Sequence, residues 1–162
     1  MTKVLLIGYN PPQLLGEAKI EAAHYRTWQF LEPILQDGHE VHLCAGAPGE
    51  RIPDPAIPPE WARLSYSPIA FGERGWIADL QAAHDRFQPE CIVAVNFYHC
   101  LYTTKLKTDK PIWMDIYGDI LTIMQAACFR AQSDRGMSTT IGFMREALRF
   151  GDIFSGCGAP QQ

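Results

Sequence analysis

The chain has 162 residues and a formal net charge of −4, a length suited to about one domain with a core of its own. Hydrophobic residues make up 47% and charged residues 20%, which excludes a disordered or fibrous chain. The acidic balance excludes a protein that grips nucleic acid through a phosphate-neutralising face.

Met1-Thr2-Lys3 precedes an apolar run of only four residues, Val4-Leu5-Leu6-Ile7, so the start reads as a buried strand and not as a signal peptide. No apolar stretch approaches the roughly 20 residues of a membrane span. The cysteines, Cys44, Cys91, Cys100, Cys128 and Cys157, are odd in number and contain no CxxC pair. A reducing cytoplasm is the expected compartment.

Val4–Tyr9 is apolar without alternation, the pattern of a strand covered on both faces. A loop over Asn10–Gly16 follows, then a helical period from about Glu17 through Ile20, Ala23, Thr27, Leu31, Ile34 and Leu35. Pro33 should kink this helix or open its last turn, and Gly38 should stop it. Glu40–Ala45 reads as the second strand and the proline-rich 46–59 as a loop. Ala62–Ala70 is strand-like, and Pro68 assigns it to an edge. Trp76–Phe87 is helical and Cys91–Val95 is a fully apolar strand. A short helix or turn is expected over Leu101–Lys107, and a fifth strand over Pro111–Gly118. Helices over Asp119–Ala131 and Ser138–Phe150 and a last strand over Asp152–Ser155 complete the pattern.

Alternating strands and helices require crossover connections. The expected fold is therefore a single Rossmann-like α/β domain over residues 1–162: an open, mostly parallel sheet of about six strands with helices on both faces. Val4–Tyr9, Cys91–Val95 and Ile112–Ile116 should lie inside the sheet, away from its edges.

In such a sheet, ligands bind beyond the carboxyl ends of the strands. A dinucleotide cradle needs GxGxxG after the first strand; here Gly8-Tyr9-Asn10-Pro11-Pro12-Gln13 lacks it, and the prolines lack N–H groups. No GxxxxGK[ST] loop and no GxSxG elbow is present. His39 and His42 should point to opposite faces of an extended chain, so a metal pair is not expected. No metal site is assigned. His84 reads as a satisfied core histidine, whereas His99 lies just past a buried strand and is a ligand candidate. Asp115 sits in an otherwise apolar strand, where a carboxylate needs a partner. Asp119 reads as a helix cap or a site residue.

Several passages resemble the N-terminal, acceptor-side domain of GT-B fold glycosyltransferases. Leu31…Leu35-Gln36-Asp37-Gly38-His39-Glu40-Val41 is similar to the "GHEV" passage from first helix to second strand in the retaining members, and Gly16-Glu17-Ala18 to the end of their glycine-rich first loop. Pro89-Glu90-Cys91-Ile92 resembles their "PDVI" passage, and Pro111–Gly118 and Asp152–Ser155 fit their later strands. Two departures stand out: Leu15 precedes Gly16 where a second glycine is usual, and Tyr117 precedes Gly118 where a histidine is common.

The resemblance implies a hexosyl-type transferase that moves a glycosyl group from a nucleotide sugar to an acceptor hydroxyl. The expected substrate-binding positions are those at the strand ends and the first helix, Gly16, Glu17, Asn96, His99, Asp115, Tyr117, Gly118 and Asp119, with Asp115 and His99 as candidate catalytic groups. No cofactor is expected in this chain; the nucleotide-sugar donor would belong to a C-terminal domain or partner subunit that these residues do not supply. By themselves they are expected to be inactive. The partners implied are a sugar or glycoconjugate acceptor and that second domain, with no nucleic acid and with peripheral membrane association left open. The alternatives are a stand-alone Rossmann-like module for a small ligand or a protein partner, and a flavodoxin-like nucleotide-binding domain.

Overall fold

A computed structural model describes residues 1–16, 20–46, 55–116 and 135–156, together with 125 and 130. Its strands are β1 (Lys3–Gly8), β2 (Glu40–Ala45), β3 (Leu64–Pro68), β4 (Cys91–Val95), β5 (Ile112–Ile116) and β6 (Ile153–Gly156). Its helices are α1 (Pro12–Leu15), α2 (Ala22–Gln36), α3 (Trp76–Phe87), α4 (Phe97–Thr103) and α5 (Arg135–Phe150), with a 3₁₀ turn at Pro59–Trp61. The described strands form one parallel sheet in the order β3-β2-β1-β4-β5-β6. Strand order reverses between β1 and β4. The fold is Rossmann-like α/β.

The two sheet faces are packed by alternating residues of the same strands. Leu5, Ile7, Cys44, Ile92, Ala94, Ile112 and Met114 meet Leu80, Ala83 and Phe87 of α3, Cys100 of α4 and Ala147 of α5. Val4, Leu6, Val41, Leu43, Val93 and Val95 meet Leu14 of α1, Leu31 of α2 and Trp61. Each such fully buried aliphatic side chain contributes about 1.5–3 kcal/mol, which is why the unbroken apolar strands lie inside the sheet. β3 is an edge, as Pro68 predicts.

Three local expectations need correction. α2 starts at Ala22, where Glu21 and His24 form a capping box, and not near Glu17. Pro33 does not open its last turn: the helix runs to Gln36, and the N–H groups of Asp37, Gly38 and His39 bond to carbonyls of Pro33, Leu35 and Ile34. Gly38, at φ 80°, then takes the left-handed conformation that turns the chain into β2. α4 begins at Phe97, directly after Asn96, and not at Leu101. Among the described residues no helix is long and apolar enough to cross a membrane.

Candidate functional site

The carboxyl ends of β1 and β4 carry Tyr9, Asn10, Asn96 and, within the first turn of α4, His99. Tyr9 is the hub. Its backbone N–H donates to Thr27 Oγ1 of α2 at 3.1 Å. Its ring meets His24 of α2 edge-on at 5.5 Å and His99 at 4.6 Å. His99 also packs edge-on against Phe71 at 4.8 Å.

His99 is buried, and its Nε2–H donates to the Gly46 carbonyl at 3.0 Å. A neutral imidazole that donates from Nε2 has its lone pair on Nδ1. That Nδ1 is buried without a hydrogen-bond partner among the described residues. Burial pushes the imidazole pKa down to about 4, against the opposing pull of the Gly46 carbonyl. At neutral pH His99 is therefore an uncharged acceptor.

Asn10 is fully buried as well. Its Oδ1 accepts from Tyr66 Oη at 2.7 Å, whereas its Nδ2 has no partner among the described residues. Asn96 holds φ 79° and ψ 147°, a conformation that costs a non-glycine residue about 1–3 kcal/mol. Its N–H donates to the Asp115 carbonyl at 2.9 Å, and its Nδ2 reaches the Ala23 carbonyl of α2 at 3.4 Å. Strain of this kind concentrates at functional sites.

Asp115 has the partners that a buried carboxylate was expected to need. Its carboxylate has no exposed surface and is gripped by Arg26 of α2, with Nε to Oδ2 at 2.8 Å and Nη2 to Oδ1 at 2.7 Å. Ser155 of β6 donates to Oδ1 at 2.7 Å, and Trp113 Nε1 donates to Ser155 Oγ at 2.9 Å. Phe30 completes the ring, 5.1 Å beneath the Arg26 guanidinium and 5.4 Å from Trp113. Both carboxylate oxygens are thus used to join α2, β5 and β6. Among the described residues the Asp115 carboxylate makes no hydrogen bond to His99.

Gly16 ends α1 at φ 60° on the surface, and a β-carbon there would meet nothing within 4 Å. Glu17, Tyr117, Gly118 and Asp119 lie outside the described residues. Arg26 escaped the sequence reading, although it is the only Lys or Arg in the span that became α2 and a buried Asp115 demands a cation.

The remaining histidines are accounted for locally. His84 is buried, with Nε2 3.0 Å from Thr108 Oγ1 and Nδ1 2.8 Å from Asp85. His39 Nδ1 accepts from the Thr2 N–H, whereas His42 lies between Ser65 and Ser67. No group of three or more His, Cys, Asp or Glu side chains among the described residues could hold a metal ion. Cys44 and Cys100 are buried, and burial pushes both thiols up, away from the reactive thiolate.

No family model matches the chain, and no curated protein matches it.

The chemistry open to the site is recognition of a hydroxyl group. A hydroxyl can donate to a lone pair such as His99 Nδ1, and a hydroxyl can accept from an amide such as Asn10 Nδ2. Neither residue carries charge, so the pair favours a neutral polar ligand over an ion.

Proposed function

We propose that this chain is the acceptor-binding domain of a GT-B-type glycosyltransferase, holding a sugar or glycoconjugate where β1 and β4 diverge. The carrying observation is a pair of buried polar atoms without hydrogen-bond partners among the described residues, in residues that follow β1 and β4: the donor Asn10 Nδ2 and the acceptor His99 Nδ1. Each costs the folded chain about 1–3 kcal/mol while unmatched. A ligand rich in hydroxyls offers both a donor and an acceptor, and so recovers that cost on binding.

The sequence resemblance supports the same reading, through the Gly38-His39-Glu40-Val41 passage into β2 and the strands that follow. In this reading His99 and Asn10 orient the acceptor hydroxyl. The low basicity of His99 suits it to holding that hydroxyl and not to removing its proton. Asp115, through Arg26, keeps α2 seated beside the site. The nucleotide-sugar donor would be held by a second domain or partner subunit, whose cationic or amide groups would stabilise the departing diphosphate.

The test uses the purified 162-residue chain. Ligand-observed NMR with a panel of mono- and disaccharides should show saturable binding that Asn10→Ala weakens. Incubation with nucleotide sugars should release no nucleoside diphosphate above the buffer rate. Sustained release that is lost in Asn10→Ala would make the chain a complete enzyme. Failure of every saccharide to bind would favour the protein-interaction alternative.

A further inference from the structure

A second polar site lies on the other half of the sheet. A groove of about 370 Å³ runs between α3 and the edge strand β3, lined by Lys3, His42, Ser65, Ser67, Arg86 and Phe87 among others. That volume lies within the range of small-molecule sites. α3 covers β1 and β2 here and leaves the hydroxyls of Ser65 and Ser67 on the open side of β3.

The hydrogen bonding of His42 fixes which way these hydroxyls point. His42 is buried, with Nδ1 2.7 Å from Ser65 Oγ and Nε2 3.0 Å from Ser67 Oγ. Ser65 spends its single proton on the Val41 carbonyl at 3.4 Å, so it accepts from His42 Nδ1–H. Nε2 then holds the lone pair, and Ser67 donates to it. Arg86 makes no hydrogen bond or ion pair among the described residues, although it is close enough to disfavour a charged His42. Lys3 sits 5.4 Å over the Phe87 ring, with its ammonium 3.5 Å from the Phe87 carbonyl.

We propose that this groove is a binding site for a small phosphate monoester, whose phosphoryl oxygens are held by the Arg86 fork, the Lys3 ammonium and the Ser67 hydroxyl. The charged lining groups are Lys3, Arg86 and Glu40, two cations against one carboxylate, which favours an anion. A planar carboxylate would be satisfied by the Arg86 fork alone, whereas donors from β1, β3 and α3 suit a tetrahedral group. The groove exceeds the size of a bare phosphate, and Ala83 and Phe87 offer its organic part an apolar wall.

Protonation supports the same site. In the free chain, burial and Arg86 hold the His42 pKa down to about 4. Cys44 also faces Arg86, and β3 contributes only hydroxyls. A bound anion would offset Arg86 and favour imidazolium, which donates to both serines and releases the Ser67 proton toward the ligand.

The experiment is a backbone and arginine side-chain NMR titration of the chain at pH 7 with phenyl phosphate, with inorganic phosphate as a second arm. Resonances of Ser65, Ser67 and Arg86 should shift saturably with phenyl phosphate and respond more weakly to inorganic phosphate. Arg86→Gln, at an exposed position, should weaken binding roughly ten-fold or more. Ser67→Ala should weaken it by a smaller factor. Shifts reproduced by sodium chloride at equal ionic strength, or unchanged affinity in Arg86→Gln, would overturn the proposal.

Discussion

Thr27 rests its hydroxyl directly on the backbone of Gly8: a β-carbon at Gly8 would lie 2.7 Å from Thr27 Oγ1 and 2.9 Å from its methyl. The same hydroxyl accepts from the Tyr9 N–H. Glycine at position 8 therefore sets how closely α2 approaches β1, and with it the position of Tyr9 and its ring contacts. Gly8→Ala should push α2 outward and destabilise the chain by about 1–3 kcal/mol. Thermal denaturation of Gly8→Ala, Thr27→Ala and the double variant checks this. The double variant should be more stable than the two single losses added together.

The Arg26–Asp115 pair should respond asymmetrically to mutation. Asp115 is wholly buried, whereas the Arg26 side chain is 22% exposed. Arg26→Met leaves a buried carboxylate without its cation, at a cost of about 3–5 kcal/mol. Asp115→Asn leaves a guanidinium that can turn toward water, and should cost less. Urea denaturation of the two variants measures the difference.

Asn96 couples stability to function. Its positive φ strains an asparagine and suits a glycine. Asn96→Gly should hold or raise the melting temperature, because the bond lost to the Ala23 carbonyl is long at 3.4 Å. The same variant should weaken saccharide binding by loosening the start of α4. A melting curve and a saccharide titration on one preparation check both halves.

Acid should destabilise the fold through its buried imidazoles. His99 and His42 have folded-state pKa values depressed to about 4, below the 6.5 of a free histidine. The unfolded chain binds more protons between these values, so stability is full above about pH 6.5 and falls as pH drops toward 4. His99, wholly buried, accounts for roughly 3 kcal/mol of that loss. Denaturation midpoints of the parent chain and His99→Phe from pH 8 to 4 should show a flatter profile for the variant.

Much of the architecture was legible because burial leaves a one-dimensional trace. Val4–Ile7, Cys91–Val95 and Ile112–Ile116 interrupt their apolar runs only at Asp115, and two-sided cover follows from that. Pro68 marked an edge. The helix starts were harder: the cap at Glu21 depends on a reciprocal bond with His24, and α4 depends on a strained Asn96 that tertiary contacts hold. The site was legible only as strand ends. That Asp115 needed a partner was readable, but its choice of Arg26, 89 residues away in sequence, is fixed by how α2 crosses the sheet. That His99 would keep an open Nδ1 rests on the Gly46 carbonyl taking its other nitrogen, a contact no local pattern encodes.

The most direct measurement is a residue-resolved NMR titration of the chain, following the Asn10 side-chain amide and the His99 imidazole, with a saccharide that binds in the panel and separately with a nucleoside diphosphate. The account predicts saturable shifts of both groups with the saccharide and none with the nucleoside diphosphate. Shifts of Asn10 and His99 with the nucleoside diphosphate alone, or saccharide binding that leaves both unmoved, would contradict it.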